Sequence, residues 1–172
     1  IHEIPVTPYL QNCTLLVCTE TNKATVCDCG DAEPVLEKIA ELGVQVDKVI
    51  ATHGHLDHIA GTAEILTVLR VPFYFPRGDD FLREQLPLQA QAFGWGKISI
   101  PEVDVDLVHG DCVEVGNTTL HVRHCPGHTP GHVVFHDADY DSDWNAIWRA
   151  EIQINEQGWS VEMEIPFSNL PF

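Results

Sequence analysis

The chain has 172 residues, 44% of them hydrophobic, and its 26 acidic residues against 9 lysines and arginines give a formal net charge of −17. This length and composition indicate one globular domain with a substantial core and exclude a disordered chain. The acidity makes nucleic acid and anionic membranes poor partners, and no apolar run approaches the ~18 residues that a membrane span needs.

The N-terminal stretch IHEIPVTPYL lacks the charged start and apolar middle of a signal peptide, so we expect a cytoplasmic protein. Strands are predicted for CTLLVCTE and ATVCDCG, which the turn-like TNK separates. A helix over 32–43 follows, because apolar residues recur at helical spacing and Gly43 is a natural stop. The next strand is VDKVIATH, and a second helix is predicted over about 57–70 with Asp57 near its N-cap.

The predicted elements continue with VPFYFP, a short strand between prolines, and with a helix over 79–93 that Pro87 should break or kink. The stretch DCVEVGNTTLHVRHCP is predicted as a β-hairpin that turns at Gly116 and Asn117. Strands and helices in this order indicate a layered α/β fold up to about residue 136.

The composition changes after about His136. DADYDSDW is rich in aspartate and has no apolar pattern, whereas AEIQIN and WSVEMEI alternate apolar with polar residues and are joined by EQG. This alternation predicts a β-hairpin with one apolar face. We therefore predict a first domain over 1–136 and a hairpin tail of different origin over 137–172, packed on the same domain.

Cysteines offer three interpretations: disulfides, metal ligands or free thiols. Disulfides would need a secreted chain, and the spacing of Cys27 and Cys29 is tighter than that of the usual zinc pairs. Buried free thiols on strands are therefore the favoured interpretation, and Cys125, beside a histidine-rich turn, is predicted to be packed rather than to bind metal. The full set is Cys13, Cys18, Cys27, Cys29, Cys112 and Cys125.

The stretch ATHGHLDHIAG places three histidines and an aspartate at the end of the strand VDKVIAT. His53 and His55 are two residues apart on extended backbone and so point to one side, with Gly54 leaving the backbone free between them. Asp57 and His58 follow where the chain turns into a helix, so they can approach from a second side. Open α/β sheets bind ligands outside the carboxyl ends of their strands, and this residue set suits zinc, iron or manganese.

A second histidine-rich stretch, HCPGHTPGH, occupies positions 124–132. Pro126 and Gly127 force a turn that would present His128. Three histidines with an open position describe a catalytic zinc site rather than a structural one. A solvated histidine-rich loop is the alternative interpretation, and the concentration of ligand residue types in two separate stretches argues against it.

The motifs THGHLDH and PGHTPGH resemble the metallo-β-lactamase superfamily, and VTPYLQNCTLLVC with HCPGHTPGHVVF is similar to its short bacterial glyoxalase II-like (hydroxyacylglutathione hydrolase-like) proteins over about residues 3–136. The resemblance implies an αββα sandwich. By motif match, His53, His55 and His128 would bind a first metal ion, and Asp57 and His58 would contribute to a second. The expected cofactor is zinc, as one or two ions, with iron or manganese as alternatives.

The same resemblance implies a metal-dependent hydrolase in which metal-bound hydroxide attacks a small-molecule hydroxyacyl thioester such as S-lactoylglutathione. Asp57 would be the catalytic residue that orients the water or accepts its proton. The alternative is a metal-binding remnant of the fold with weak or no catalysis. The superfamily also includes β-lactam hydrolysis, phosphodiester cleavage and iron-dependent persulfide oxidation, and the acidity of the chain argues against a nucleic-acid substrate.

The chain departs from the family pattern after His136, where family members carry a metal-bridging aspartate in a Gly-Asp pair and a further histidine for the second metal. Neither is present in this sequence beyond that point. We therefore expect the C-terminal half of the sandwich to be truncated and replaced by the hairpin tail. The exposed sheet edge that this leaves could pair with a second copy of the chain. Candidates for the bridging carboxylate, against a solvated acidic loop or hairpin face, are Glu151, Asp137, Asp139, Asp141 and Asp143.

The tail itself resembles the end of a β-sandwich module similar to family 9 carbohydrate-binding domains. Sugar binding is not carried over, because the rest of that sandwich is missing from the sequence. The residues that carry the likeness are Trp144, Trp148, Gly158, Trp159, Glu162, Ile165, Pro166, Phe167 and Leu170.

Asp28 stands in the turn DCGD, where the family has Asp-Pro-Gly-Gly. Two roles stay open for Asp28: a hydrogen-bond acceptor that orders the loop, or a carboxylate that supports the metal ligands from behind. The remaining histidines match no family ligand and are predicted at the surface or behind the ligands; they are His2, His109, His121, His124, His132 and His136.

Overall fold

The computed structural model describes residues 1–137, 149–155 and 158–164. It divides the chain into two compact units, Ile1–Asp137 and a second unit that begins at residue 138. The candidate site lies in the first unit.

A six-stranded sheet forms the centre of the first unit, in the order β1-β2-β3-β4-β5-β6. The first three strands pair antiparallel, and β3 to β6 pair parallel. The carboxyl ends of the parallel strands therefore meet at one edge, where ligands bind in sheets of this kind. The strands are β1 (His2–Val6), β2 (Gln11–Val17), β3 (Lys23–Cys27), β4 (Gln45–Ile50), β5 (Phe73–Phe75) and β6 (Val105–Asp106).

The first helix, α1 (Ala32–Leu42), confirms the prediction from the sequence. Its N-cap is Asp31, whose side chain accepts a hydrogen bond from the Glu33 N–H, and it ends at Gly43 in the left-handed conformation with φ 62°. Glycine adopts this conformation without steric cost, which is why it stops the helix here.

The predicted second helix over 57–70 is wrong as a single element. The chain forms two short helices, α2 (Leu56–Ile59) and α3 (Thr62–Leu69), and His55 rather than Asp57 is the N-cap residue of α2. The break occurs because the Gly61 N–H donates to the Cys29 carbonyl, 3.0 Å away, in place of a bond within the helix. A side chain at Gly61 would overlap the start of α1, so the close approach of two backbones requires glycine here.

The predicted break at Pro87 is confirmed. A 3-10 turn (Arg77–Asp79) leads into α4 (Asp80–Glu84), and α5 (Leu86–Ala92) begins with Pro87 in its first turn. Proline has no N–H to donate and is tolerated only in the first turn of a helix, which separates the two elements.

A three-stranded antiparallel sheet packs against the six-stranded sheet. It contains β7 (Cys112–Val115), β8 (Thr118–His124) and β9 (Val133–Asp137), and the predicted hairpin at Gly116 joins the first two. One buried cluster joins Cys27 and Ile50 of the larger sheet to Val113, Val122 and Val133 of the smaller one. The other face of the larger sheet packs against the helices, so the first unit contains helix, sheet and sheet layers.

The hairpin predicted for the tail is confirmed. Strands β10 (Arg149–Asn155) and β11 (Gly158–Glu164) pair antiparallel, with Ile152 opposite Val161. Packing of the hairpin on the first domain stays a prediction, as does the likeness to carbohydrate-binding modules. Several residues that carry the likeness lie outside the described residues, namely Trp144, Trp148, Ile165, Pro166, Phe167 and Leu170.

All six cysteines are free thiols. The prediction that they are buried is confirmed for Cys13, Cys27 and Cys29, whereas Cys112 and Cys125 are exposed and Cys18 is half-buried. Cys125 is therefore not packed as predicted, because it lies in the turn that follows β8 rather than on a strand. Within the described ranges, no helix is long and apolar enough to cross a membrane.

Candidate metal centre

The carboxyl ends of β3 and β4 are joined by Asp28. One carboxylate oxygen accepts the Thr52 N–H at 2.7 Å, and the other accepts the Thr52 hydroxyl at 2.8 Å. Asp28 itself is buried and has a positive φ of 61°, so the turn after β3 aims its side chain back at β4. The role of Asp28 as a loop-ordering acceptor is therefore confirmed, and the loop it orders begins the histidine-rich stretch.

The same contact sets the protonated nitrogen of His53. The Thr52 hydroxyl donates its hydrogen to Asp28, so its oxygen accepts from His53 Nδ1, which lies 2.9 Å away. A neutral imidazole with its proton on Nδ1 has a lone pair on Nε2. The chain of contacts from Asp28 through Thr52 thus leaves His53 Nε2 as a free electron-pair donor.

The Nε2 atom of His53 is one of three imidazole nitrogens that lie close together. His53 Nε2 lies 3.1 Å from His55 Nδ1 and 3.2 Å from His128 Nε2, and the latter two atoms are 3.0 Å apart. Zinc binds imidazole nitrogen at about 2.0–2.1 Å, which in a tetrahedral site separates two ligand atoms by about 3.3–3.4 Å. The three nitrogens therefore nearly match three corners of such a site, and the donor set fits a metal ion.

The nitrogens of His53, His55 and His128 form a triangle, and the three side chains differ in burial. His53 is buried, His55 is half-buried and His128 is exposed. Three protein ligands with one side open to solvent is the arrangement of catalytic rather than structural zinc sites. Of the described residues, only these three bring ligand atoms of three groups within 4.8 Å of one another.

The electrostatics of the cluster disfavour protons on the ligands. Burial, followed by the charges that His58, His55 and His128 would carry, lowers the pKa of His53 to about 2. Burial and His128 also lower the pKa of His55, although the nearby carboxylates of Asp57 and Asp79 act in the opposite direction. Neutral imidazole is the form that binds metal, so the lowered pKa values keep His53 and His55 in the metal-binding form at neutral pH.

The lowered pKa of His53 predicts that the metal-free protein loses stability in mild acid. The unfolded chain binds this proton below about pH 6.5 and the folded chain does not, so the contribution of His53 is complete above that pH and is lost as the pH falls towards 2. We expect the loss in the free energy of unfolding between pH 7.5 and pH 5, measured by urea titration in chelator, to be ~2 kcal/mol larger in the wild type than in a variant without His53, since the raised pKa of His58 acts in the opposite direction in both proteins. The His53→Gln variant should show a flatter pH profile, and an unchanged profile would contradict this assignment.

Asp57 and His58 lie beside the triangle without joining it. The His58 Nδ1 atom is 3.1 Å from an oxygen of Asp28, and its Nε2 atom is 3.8 Å from an oxygen of Asp57. Burial opposes a charge on His58, but the hydrogen bond and charge of Asp28, with the charge of Asp57, raise its pKa above the ordinary value. The two residues predicted to contribute to a second metal ion thus lie next to the first three histidines, with His58 directed at Asp28, and their metal role stays a prediction.

Two further residues, His132 and Asp79, lie near these histidines, although the sequence assigned neither of them a metal-binding role. The His132 ring is half-buried and lies 5.2 Å from the His53 ring and 5.8 Å from the His128 ring. Asp79, expected only to begin a helix, is fully buried and accepts hydrogen bonds from Gly54, Thr129 and Gly131. No local pattern distinguishes Asp79 in the sequence, since its partners are 25, 50 and 52 residues away.

The candidates for a bridging carboxylate divide into two groups. Asp137 ends β9 opposite Leu120, and Glu151 lies in β10 opposite Glu162. Asp139, Asp141 and Asp143 lie outside the described residues. A metal role for any of the five stays a prediction.

Comparisons with known proteins identify the family of the chain. The sequence model of the metallo-beta-lactamase superfamily matches residues 6–141. The hydroxyacylglutathione hydrolase GloC of Haemophilus influenzae is 35% identical over 134 residues, which cover 74% of this chain and 61% of that protein. A protein of Aquifex aeolicus is 36% identical over 128 residues, which cover 74% of this chain and 60% of its own length.

Solved structures show the same fold. The crystal structure of TTHA1623 in a di-iron-bound form has a TM-score of 0.71 and 30% identity, and the match covers 81% of this chain and 68% of that one. The B3 metallo-beta-lactamase BLEG-1 has a TM-score of 0.68 and 25% identity over 79% of this chain. The chain spans about 60% of the length of the two curated relatives described above.

Proposed function

This chain belongs to the metallo-β-lactamase superfamily of metal-dependent hydrolases, and we propose that it hydrolyses hydroxyacyl thioesters in the manner of the glyoxalase II-like enzymes. The observation that carries the proposal is the convergence of three imidazole nitrogens at 3.0–3.2 Å on a solvent-open side of the fold. His53, His55 and His128 would hold the metal ion.

A divalent ion held by these three histidines would act as a Lewis acid and would make water a competent nucleophile at neutral pH. The side chains of the protein would orient the ligands and the attacking water. Asp28 and Thr52 fix the orientation and tautomer of His53. The half-buried carboxylate of Asp57, which lies 3.8 Å from His58 Nε2, would orient a water molecule and accept its proton. In the net reaction, water adds to the thioester carbonyl, the carbon–sulfur bond breaks, and a carboxylate and a thiol leave.

The choice of a thioester rests on the relatives. GloC of Haemophilus influenzae is named a hydroxyacylglutathione hydrolase, and it is 35% identical to this chain over 134 residues. A small-molecule substrate also suits a formal net charge of −17, because an acidic protein repels polyanions. Zinc is the ion we propose, with iron or manganese as alternatives that the same nitrogen donors accept.

A second candidate function is metal binding with weak or no turnover. Two observations favour it: His58 is directed at Asp28, and the convergent group within the described residues has three members. In that case the chain would hold one ion, and the second site would be incomplete.

A single assay distinguishes the two candidate functions. Metal-free protein is reconstituted with zinc, iron or manganese and given S-lactoylglutathione, with a chromogenic β-lactam as the comparison substrate. We expect metal-dependent release of glutathione that exceeds β-lactam hydrolysis. Bound metal without release of glutathione in any reconstitution would support the second candidate, and faster β-lactam hydrolysis would contradict the thioester proposal.

A further inference from the structure

We propose that Asp79 is a positioning residue that holds the two ligand-bearing loops together, so that His53 and His55 meet His128. The proposal rests on the proposed metal centre for its functional consequence. Asp79 does not belong to the convergent group, and it acts through the backbone of both loops.

The hydrogen bonds of Asp79 reach both loops at once. Its Oδ2 atom accepts the Gly54 N–H at 3.1 Å, and Gly54 lies between the ligands His53 and His55. The same oxygen accepts the Thr129 hydroxyl at 2.5 Å. Its Oδ1 atom accepts the Gly131 N–H at 2.7 Å. One carboxylate therefore bridges the segment that carries two ligands and the segment that follows the third.

The backbones around Asp79 approach each other so closely that glycine is needed at the contacts. A Cβ on Gly131 would lie 2.6 Å from the Asp79 nitrogen and 2.8 Å from its Oδ1 atom. A Cβ on Gly54 would lie 2.9 Å from the Leu82 Cβ and 3.1 Å from the Asp79 Cβ. These contacts leave no room for either loop to slide past Asp79, so the bridge is geometrically tight.

The burial of Asp79 makes its hydrogen bonds specific. Its exposed fraction is 0%, and water is therefore unable to replace a lost partner at its surface. A carboxylate accepts at both oxygens, whereas an amide accepts at one and donates at the other. The amide oxygen of asparagine at position 79 could accept from Gly54 and Thr129, or from Gly131, and its NH₂ group would then face the N–H of Gly131 or of Gly54, where two donors meet.

Metal binding is sensitive to such a change because ligand atoms must be held to within about 0.2 Å. His128 comes from a turn between β8 and β9, while His53 and His55 follow β4. Besides Asp79, the Val133 N–H to Thr52 carbonyl bond of 2.9 Å joins the two segments. Loss of the Asp79 bridge is thus expected to let the turn that carries His128 move relative to His53 and His55. The bond between Val133 and Thr52 would still hold the start of β9 in place.

The test compares Asp79→Asn with Asp104→Asn in the full-length protein. Asp104 accepts the Phe73 N–H at 2.8 Å at the amino end of β5, so its replacement removes a comparable carboxylate bond away from the loops. The first measurement is amide hydrogen exchange in metal-free protein. We expect the amide of Gly54, of Gly131, or of both to exchange at least about tenfold faster in Asp79→Asn than in the wild type. In Asp104→Asn, neither amide should exchange faster.

The second measurement is affinity for Zn²⁺ by competition with a chromophoric chelator, together with the visible spectrum of the Co²⁺ form. We expect Asp79→Asn to bind Zn²⁺ about 10- to 100-fold more weakly and to change the Co²⁺ spectrum, because supporting partners of metal ligands contribute on this scale. Asp104→Asn should keep both properties.

Thr129 provides a milder pair of variants if Asp79→Asn folds poorly. Thr129→Val removes the hydroxyl that Asp79 accepts, and Thr129→Ser keeps it. We expect weaker Zn²⁺ binding for valine and recovery for serine, a pattern that a loss of packing would not produce.

Each outcome addresses one proposal. The positioning role is overturned if both glycine amides exchange at the wild-type rate in Asp79→Asn. It is also overturned if the wild type binds Zn²⁺ and Asp79→Asn binds it equally tightly. A wild-type protein that binds neither zinc nor cobalt overturns the proposed metal-dependent function instead. In that event faster exchange in Asp79→Asn still supports the bridge between the loops.

Discussion

Replacing His128 by alanine is expected to weaken zinc binding by at least about 100-fold and to lower thioester hydrolysis by at least about 1000-fold, a larger loss than that caused by removing a supporting partner of a ligand. His128 Nε2 lies 3.0 Å from His55 Nδ1 and 3.2 Å from His53 Nε2, so its removal opens one side of the triangle. Two histidines from one loop would remain. Zinc content after dialysis and the rate of glutathione release from S-lactoylglutathione measure the two effects.

His136→Ala is the matched control for this change. His136 is exposed on β9, eight residues beyond His128, and pairs in register with His121 rather than with the triangle. We expect this variant to keep its zinc and its turnover. A His128→Ala protein that retains stoichiometric zinc and wild-type turnover would remove His128 from the site.

Removing the metal is expected to lower the melting temperature by about 10 °C. An ion present at about 1000 times its dissociation constant stabilises the folded state by about 4 kcal/mol, which corresponds to this shift in a domain of this size. The reason is structural, because the ion would join two loops that otherwise contact each other through Asp79 and the start of β9. Differential scanning calorimetry with and without a chelator measures the shift.

The control for chelation is a variant that lacks a ligand. His55→Ala should melt at a low temperature in both conditions, because it has no site to empty. A wild-type melting temperature that stays the same in chelator would indicate that the fold does not depend on an ion in the triangle.

The local signals of the sequence predicted the elements well where the deciding contacts are also local. The helix α1 follows from its apolar spacing and from Asp31 and Gly43 at its ends. The hairpin at Gly116 follows from a turn residue that adopts φ 60°. The tail hairpin follows from alternation alone, because strand pairing places alternate residues on one face.

The division of the second predicted helix depends on a contact that is not local. Gly61 donates to Cys29, 32 positions earlier, and packs on the start of α1. Periodicity over 57–70 is continuous and contains no sign of this contact. Such a break is decided by tertiary packing, which overrides helix propensity.

The candidate metal ligands and their neighbours divide in the same way between local and non-local signals. His53 and His55 could be assigned from their spacing after a strand, and His128 from a turn with ligand-type neighbours. Asp79 could not be assigned, since its hydrogen bonds join segments that meet only in the folded protein. The direction of His58 towards Asp28 also required the structure, because a histidine beside a metal motif matches a ligand equally well in the sequence.

The most direct test of the metal centre is X-ray absorption at the zinc edge on protein loaded with one equivalent of zinc. We predict a first coordination sphere of nitrogen and oxygen at about 2.0–2.1 Å with three imidazole contributions, one of which disappears in His128→Ala. Scattering from sulfur at about 2.3 Å would place the ion on cysteine thiolates and contradict the account.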